Sequence, residues 1–96
     1  MKSQFHKYDV ADQIKTKEDI VNYLEACFEE AGDDASFIAA ALGDVVRAHG
    51  MAELGEATGL TREELSRSFS KDGNPSFGTV LKVMKALGLK LKPEAA

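Results

Sequence analysis

Four glycines, Gly32, Gly50, Gly59 and Gly88, cut the chain into segments in which apolar residues recur every three or four positions. That period is helical, and a glycine just past the last periodic residue is a common helix stop. The pattern predicts an all-α protein of five helices. The first begins after Thr16, which with Asp19 resembles a capping box, and carries Ile20, Val21, Leu24, Cys27, Phe28 and Ala31 to Gly32. Asp33 and Asp34 can cap the second, in which Phe37, Ile38, Ala41, Leu42, Val45 and Val46 form one broad stripe ending at Gly50. The stretches MAELGEATG and GLTREELSRSFS read as two short helices on either side of Gly59. Residues 71–75, KDGNP, are a turn cluster, because Gly and Asn tolerate positive φ and Pro biases the preceding residue away from helix. Ser76 is the N-cap expected for FGTVLKVMKALG, with Phe77, Val80, Leu81, Met84 and Leu87 on one side. The tail 89-LKLKP-93 alternates apolar and basic, which fits either a short C-terminal strand or an extended segment. Residues 1–15 lack periodicity and read as an N-terminal arm, leaving 16–96 as one helical domain.

A chain of 96 residues with 44% apolar content can bury one modest core. No apolar run approaches the roughly 18 residues of a membrane span, and the first residues do not form a secretory signal, so a cytoplasmic protein with no membrane partner is expected. The single cysteine, Cys27, cannot form an internal disulfide or a cysteine-based zinc cluster, and its place on an apolar stripe suits a small core residue. With only His6 and His49 as histidines, no catalytic pair or metal site assembles. None of Gly50, Gly55 and Gly59 is followed by the Lys-Ser/Thr of a Walker loop. Neither an enzyme nor a cofactor is expected.

Net charge is −4, which by itself opposes nucleic-acid binding, since phosphate neutralisation is the main sequence-independent attraction there. The distribution matters more. Residues 1–50 hold 5 Lys+Arg against 10 Asp+Glu, whereas residues 51–96 hold 7 against 6. The acidity belongs to the N-terminal half, and the acidic face of the first helix, Asp19, Glu25, Glu29 and Glu30, is either plainly solvated or set to meet a basic partner.

The near-neutral half contains 51-MAELGEATGLTREELSRSF-69, which has the steric signature of a helix-turn-helix. Gly55 is a small residue where two helices cross, Gly59 a glycine at the tight turn, and Leu54, Leu60 and Leu65 are apolar residues that lock the pair. At about 100° per residue, Leu65 and Phe69 define the buried side of the second helix, and its N-terminal end is the one that enters a major groove. Thr61, Arg62, Glu63, Ser66 and Arg67 are then the side chains able to reach bases or phosphates. Glu64 stands three residues after Thr61 and completes a capping box, so it is assigned to the helix itself. Glu63 has two readings, an i,i+4 surface pair with Arg67 or acceptance of a hydrogen bond from a cytosine amino group.

These features resemble the phage-repressor-like, XRE-type helix-turn-helix domains. The stretch 73-GNPSFGTVLKVMKALGLKL-91 is similar to the C-terminal signature of the addiction module antidote proteins, the HigA-like antitoxins. The segments 8-YDVADQIKTKEDIVNYLEACFEE-30 and 41-ALGDVVRAHGM-51 also resemble that family, so the likeness spans roughly residues 8–92. Its most specific parts are Gly73, Asn74, Pro75 and Ser76, and Ala41, Leu42, Gly43 and Asp44. The resemblance implies a five-helix lambda-repressor-like domain and an antitoxin that neutralises a RelE-like toxin, a small ribonuclease, by direct binding. It also implies a homodimer that represses its own operon by binding double-stranded operator DNA.

Carried over by position, the base-facing sites fall on Arg62, Glu63 and Arg67, with Ser70 later on the same face, while Thr61, Lys71 and Asn74 fall where phosphates are contacted. The chain departs from the pattern at Met51, where a phosphate-holding glutamine is common, and at the acidic Glu63. One twelve-residue helix cannot bury every apolar side it shows, so some of Val80, Val83, Met84, Leu87, Leu89 and Leu91 are expected at a dimer interface. A stand-alone helix-turn-helix regulator, and an interaction module that no longer binds DNA, are the alternative readings.

Overall fold

A computed structural model describes residues 10–96 of the chain. Five helices follow one another, α1 (Lys17–Ala31), α2 (Ala35–His49), α3 (Met51–Thr58), α4 (Arg62–Ser68) and α5 (Phe77–Ala86), and no strand occurs among the described residues. The tail beyond Gly88 has no regular structure, so the alternation in LKLKP pairs with no neighbouring strand. Residues 1–9, most of the expected arm together with His6, lie outside the described residues. From Val10 the same segment is ordered into a single 3-10 turn, Val10–Gln13, that packs on α2, and Ile14 beyond it is buried in the core.

The helix starts follow local chemistry. The Thr16 hydroxyl accepts from the Asp19 N–H at 3.0 Å, and the Asp19 carboxylate accepts from the N–H groups of Thr16 at 3.0 Å and Lys15 at 2.9 Å. These backbone bonds, that of Lys15 first, hold the Asp19 carboxyl below its ordinary range. Asp34 and Ser76 cap α2 and α5 in the same way, through the N–H groups of Phe37 and Thr79. Each cap gives a partner to an amide that the helix geometry leaves unpaired.

The core is arranged around α2, which packs against α1, α3, α4 and the 3-10 turn. Val45, Val46, Leu54, Leu65 and Val83, drawn from four helices, are completely enclosed. Burying side chains of this size contributes roughly 1.5–3 kcal/mol each. Cys27 is buried in the same cluster, and desolvation by burial pushes its thiol up. That state disfavours the nucleophilic thiolate.

The apolar stripes turn out broader than the core can use. Phe77 is 68% exposed and Leu81 also points outward, so the buried side of α5 is Val83, Met84 and Leu87 with Val80 half-buried, one helical step round from the side expected. Val83, Met84 and Leu87 are buried in the chain's own core. Of the six residues expected at a dimer interface, only Val80, Leu89 and Leu91 keep exposed area. Val21, Phe28 and Phe37, expected on the apolar stripes of the first two helices, are likewise exposed. Apolarity fixed these helices, and the positions of their neighbours decided which apolar side is covered.

Candidate nucleic-acid interface

The turn between α3 and α4 is built by three small residues. Gly59 adopts the left-handed conformation, φ 79°, ψ 8°, and its N–H donates to the Gly55 carbonyl at 2.8 Å. A side-chain carbon at Gly55 would stand 3.0 Å from the carbonyl oxygen of Leu60, so the close approach there is to the turn backbone. Thr58, which the sequence did not single out, locks the same turn. Its hydroxyl donates to the Leu54 carbonyl at 2.6 Å and accepts from the Leu60 N–H at 3.2 Å. Leu54 and Leu65 are fully enclosed beneath the pair and Leu60 is half-buried.

The N-terminus of α4 carries the expected capping box. Glu64 Oε1 accepts from the Thr61 N–H at 2.8 Å, and Thr61 Oγ1 accepts from the Glu64 N–H at 3.0 Å. The Thr61 backbone bond, then the Thr61 side chain, and finally the charge of Arg67, lower the Glu64 carboxyl below its ordinary range. Glu64 is thus committed to its own helix. Glu63 and Arg67 form no ion pair with each other, so the i,i+4 surface pair is absent, and both side chains are exposed to solvent.

The far end of α4 is held by two other glycines. A side-chain carbon at Gly43, in the middle of α2, would lie 2.1 Å from the Phe69 carbonyl oxygen, and one at Gly73 would lie 2.1 Å from that of Ser68. Backbone of α2 and of the following turn therefore presses directly on the last carbonyls of the helix. Gly43 and Gly73, each inside a stretch singled out in the sequence, are thus the residues whose lack of a side chain lets α4 seat. Asp44 next to Gly43 does a second job. It accepts from the Tyr23 hydroxyl at 2.6 Å and from Arg47 Nη2 at 2.8 Å, tying α1 to α2. Burial first, and then this bond, push the Tyr23 hydroxyl well above the usual phenol range.

Seated this way, α4 turns Arg62, Glu63, Ser66 and Arg67 to solvent, with Thr61 at its cap. The Ser66 hydroxyl makes a weak, long contact to Met51 Sδ at 3.9 Å, so Met51 supports the α4 face where a phosphate-holding residue was expected. Ser70 is half-buried, and its hydroxyl donates to the Arg67 carbonyl at 3.1 Å. Lys71 is exposed in the turn beyond, whereas Asn74, also exposed, borders an apolar groove on the side of α5. Residues 51–74 hold three cations, Arg62, Arg67 and Lys71, against five carboxylates. Two of these acids are partly engaged, Glu64 in its cap and Glu53 at 3.6 Å from His49 Nε2. The surface offers donors for specific contacts and little general attraction for phosphate.

Among the described residues no group of three or more His, Cys, Asp or Glu side chains could hold a metal ion, and no helix is long and apolar enough to cross a membrane. What the fold defines is a small all-α protein whose α3–turn–α4 unit is helix-turn-helix-like, with a capped and firmly seated second helix. The chain belongs to the probable addiction module antidote protein family, whose model matches residues 4–95. It is 40% identical over 92 residues to an uncharacterized protein of Haemophilus influenzae, covering 96% of this chain and 93% of that one. No solved structure gives a significant match.

Proposed function

We propose that the protein is the antitoxin of a type II toxin–antitoxin module in the cytoplasm, of the HigA-like, XRE-type kind. It binds and neutralises a RelE-like ribonuclease toxin and, as a homodimer, represses its own operon. Membership of the antidote family across almost the whole chain carries this reading. The presentation of α4 supports its DNA-binding half. Arg62 and Arg67 are exposed donors suited to guanine or phosphate, Glu63 is exposed and able to accept from cytosine, and Thr61, Ser66, Ser70, Lys71 and Asn74 are the further candidate contacts. Two such helices in a dimer would enter successive major grooves about 34 Å apart, so a palindromic operator is expected. The exposed Phe77 and Leu81 of α5 and the half-buried Leu89 supply apolar area for that dimer.

Co-expression with the product of the adjacent reading frame tests the antitoxin half, rescue of growth being the expected result. Failure to rescue leaves the stand-alone regulator. A gel shift on the upstream promoter tests the DNA half, and Arg67→Ala should weaken binding by about 1–3 kcal/mol if Arg67 reads a base. The excess of carboxylates in residues 51–74 favours a second reading, an interaction module without DNA binding. Absence of any shift at low salt would select it. A monomeric mass at micromolar concentration would refute the dimer.

A further inference from the structure

An open groove of about 360 Å³ runs between the C-terminal end of α1, the first half of α2, the turn at residues 73–75 and α5. Leu24, Phe28, Ile38, Leu42, Val80 and Met84 give it apolar walls, and Leu91 from the tail borders it. Phe28 remains 45% exposed and Leu91 47%, so nothing in the described chain covers the groove. Its α1 side is acidic, whereas Lys90 and Lys92 flank Leu91 on the tail. Residues 16–34 carry one lysine and seven carboxylates, a net −6, while the whole chain is −4, so the remainder sums to +2. The chain's entire excess of negative charge lies along α1 and the loop after it. Asp33 lines the groove itself, and Glu25 and Glu29 stand three residues before and one after Phe28. Glu25, Glu29, Glu30 and Asp33 make no ion pair among the described residues.

We infer that this groove is the docking site for a cationic amphipathic segment of a protein partner, whose apolar row fills the cleft while its Lys or Arg flanks meet the acidic rim. The inference rests on the antitoxin reading and assigns that reading's toxin-binding surface. Physical chemistry selects this occupant over the others. A second copy meeting this face symmetrically would bring the acidic rim of Glu25, Glu29, Glu30 and Asp33 against the same rim of its copy, which an isologous contact cannot avoid. Nucleic acid is repelled by the same sign. A small polar ligand would need convergent hydrogen-bonding groups, and the side chains lining this groove are overwhelmingly apolar. A helix or extended segment laid in an apolar groove, with flanking charges that steer and align it, fits both features together.

The test is titration calorimetry and stopped-flow association of the full chain with the purified product of the adjacent reading frame. Phe28→Asp places a charge in the groove at a half-exposed position, and the double change Glu29→Lys with Glu30→Lys alters only the exposed rim. Thermal melts verify that each variant is folded, and should Phe28→Asp fail there, the rim variant alone decides. Phe28→Asp should weaken the complex at least tenfold. The rim variant should slow association at least tenfold at low salt and flatten its salt dependence. If the wild-type chain binds and both variants bind equally well, the groove assignment is overturned and the antitoxin reading stands. If Phe28→Asp instead turns a dimer into a monomer with unchanged toxin affinity, a second copy occupies the groove and the assignment is again overturned. If the wild-type chain does not bind the product at all, the antitoxin reading fails and takes the assignment with it.

Discussion

Replacing Gly43 by alanine should destabilise the protein although alanine is the better helix former. In the interior of a helix such as α2 the exchange favours alanine by about 1 kcal/mol. Against that, the new methyl carbon would stand 2.1 Å from the carbonyl oxygen of Phe69 and 3.2 Å from its carbon. Both atoms are backbone, so no flexible side chain can swing away. Restoring a carbon–oxygen contact of about 3.3 Å requires the Phe69 carbonyl to retreat by roughly 1.2 Å. The retreat drags the Phe69 ring, 4% exposed, and Leu65, fully enclosed one turn earlier, out of their packing. Overpacking of this kind costs about 1–3 kcal/mol and occasionally more, and displacement of backbone places it at the upper end. A net loss of about 2 kcal/mol follows, which for a domain of this size lowers Tm by roughly 8–16 °C. Circular dichroism melts measure it directly. Gly78→Ala is the control, since its methyl would meet only Ser76 Oγ at 3.9 Å and should stabilise by up to about 1 kcal/mol. A Tm for Gly43→Ala equal to or above that of the wild type would refute the claim that α2 seats α4 by backbone contact.

Thr61→Ala removes the acceptor at the head of α4 and should cost about 1 kcal/mol in urea denaturation, with weaker operator binding in the same gel shift. Tyr23→Phe removes the hydrogen bond to Asp44 and should cost about 1 kcal/mol while leaving the helical signal intact; a neutral result would show that the link between α1 and α2 is made by packing alone. Acid should weaken both capping boxes. The Asp19 and Glu64 carboxyls are lowered in the folded chain relative to their ordinary values of about 3.9 and 4.3. Their contribution is therefore complete above those values and disappears as pH falls through the lower, folded ones. The fall of Tm below about pH 4 should be shallower in Glu64→Gln than in the wild type, and identical slopes would remove Glu64 from the account.

The helix boundaries were legible because they depend on neighbours in sequence. Thr16 with Asp19, Thr61 with Glu64, and the caps Asp34 and Ser76 act within three residues, and Gly50, Gly59 and Gly88 take the positive φ that ends or joins helices. The outward set on α4 was legible for the same reason, once Leu65 and Phe69 fixed its buried side. Less legible was the behaviour of the long exposed side chains. Spacing allowed an ion pair between Glu63 and Arg67, but a surface pair contributes only about 0.2–0.5 kcal/mol, too little to dictate one geometry, and the pair is absent. Thr58 escaped notice because a threonine at a helix end has no distinctive spacing until the turn beside it is known.

By itself the sequence determined that the chain is all-α, where its five helices start and stop, and which residues of α4 lie opposite its buried leucine. All of these are consequences of short-range period and capping. Which apolar side of α5 is buried, why Gly43 and Gly73 must be glycine, and the existence of an acidic-rimmed groove beside Phe28 were decided only by the tertiary structure. A helix that is apolar on more than one side carries no record of which side its neighbours cover. A close approach between backbones far apart in the chain leaves in the sequence only a glycine, without its reason.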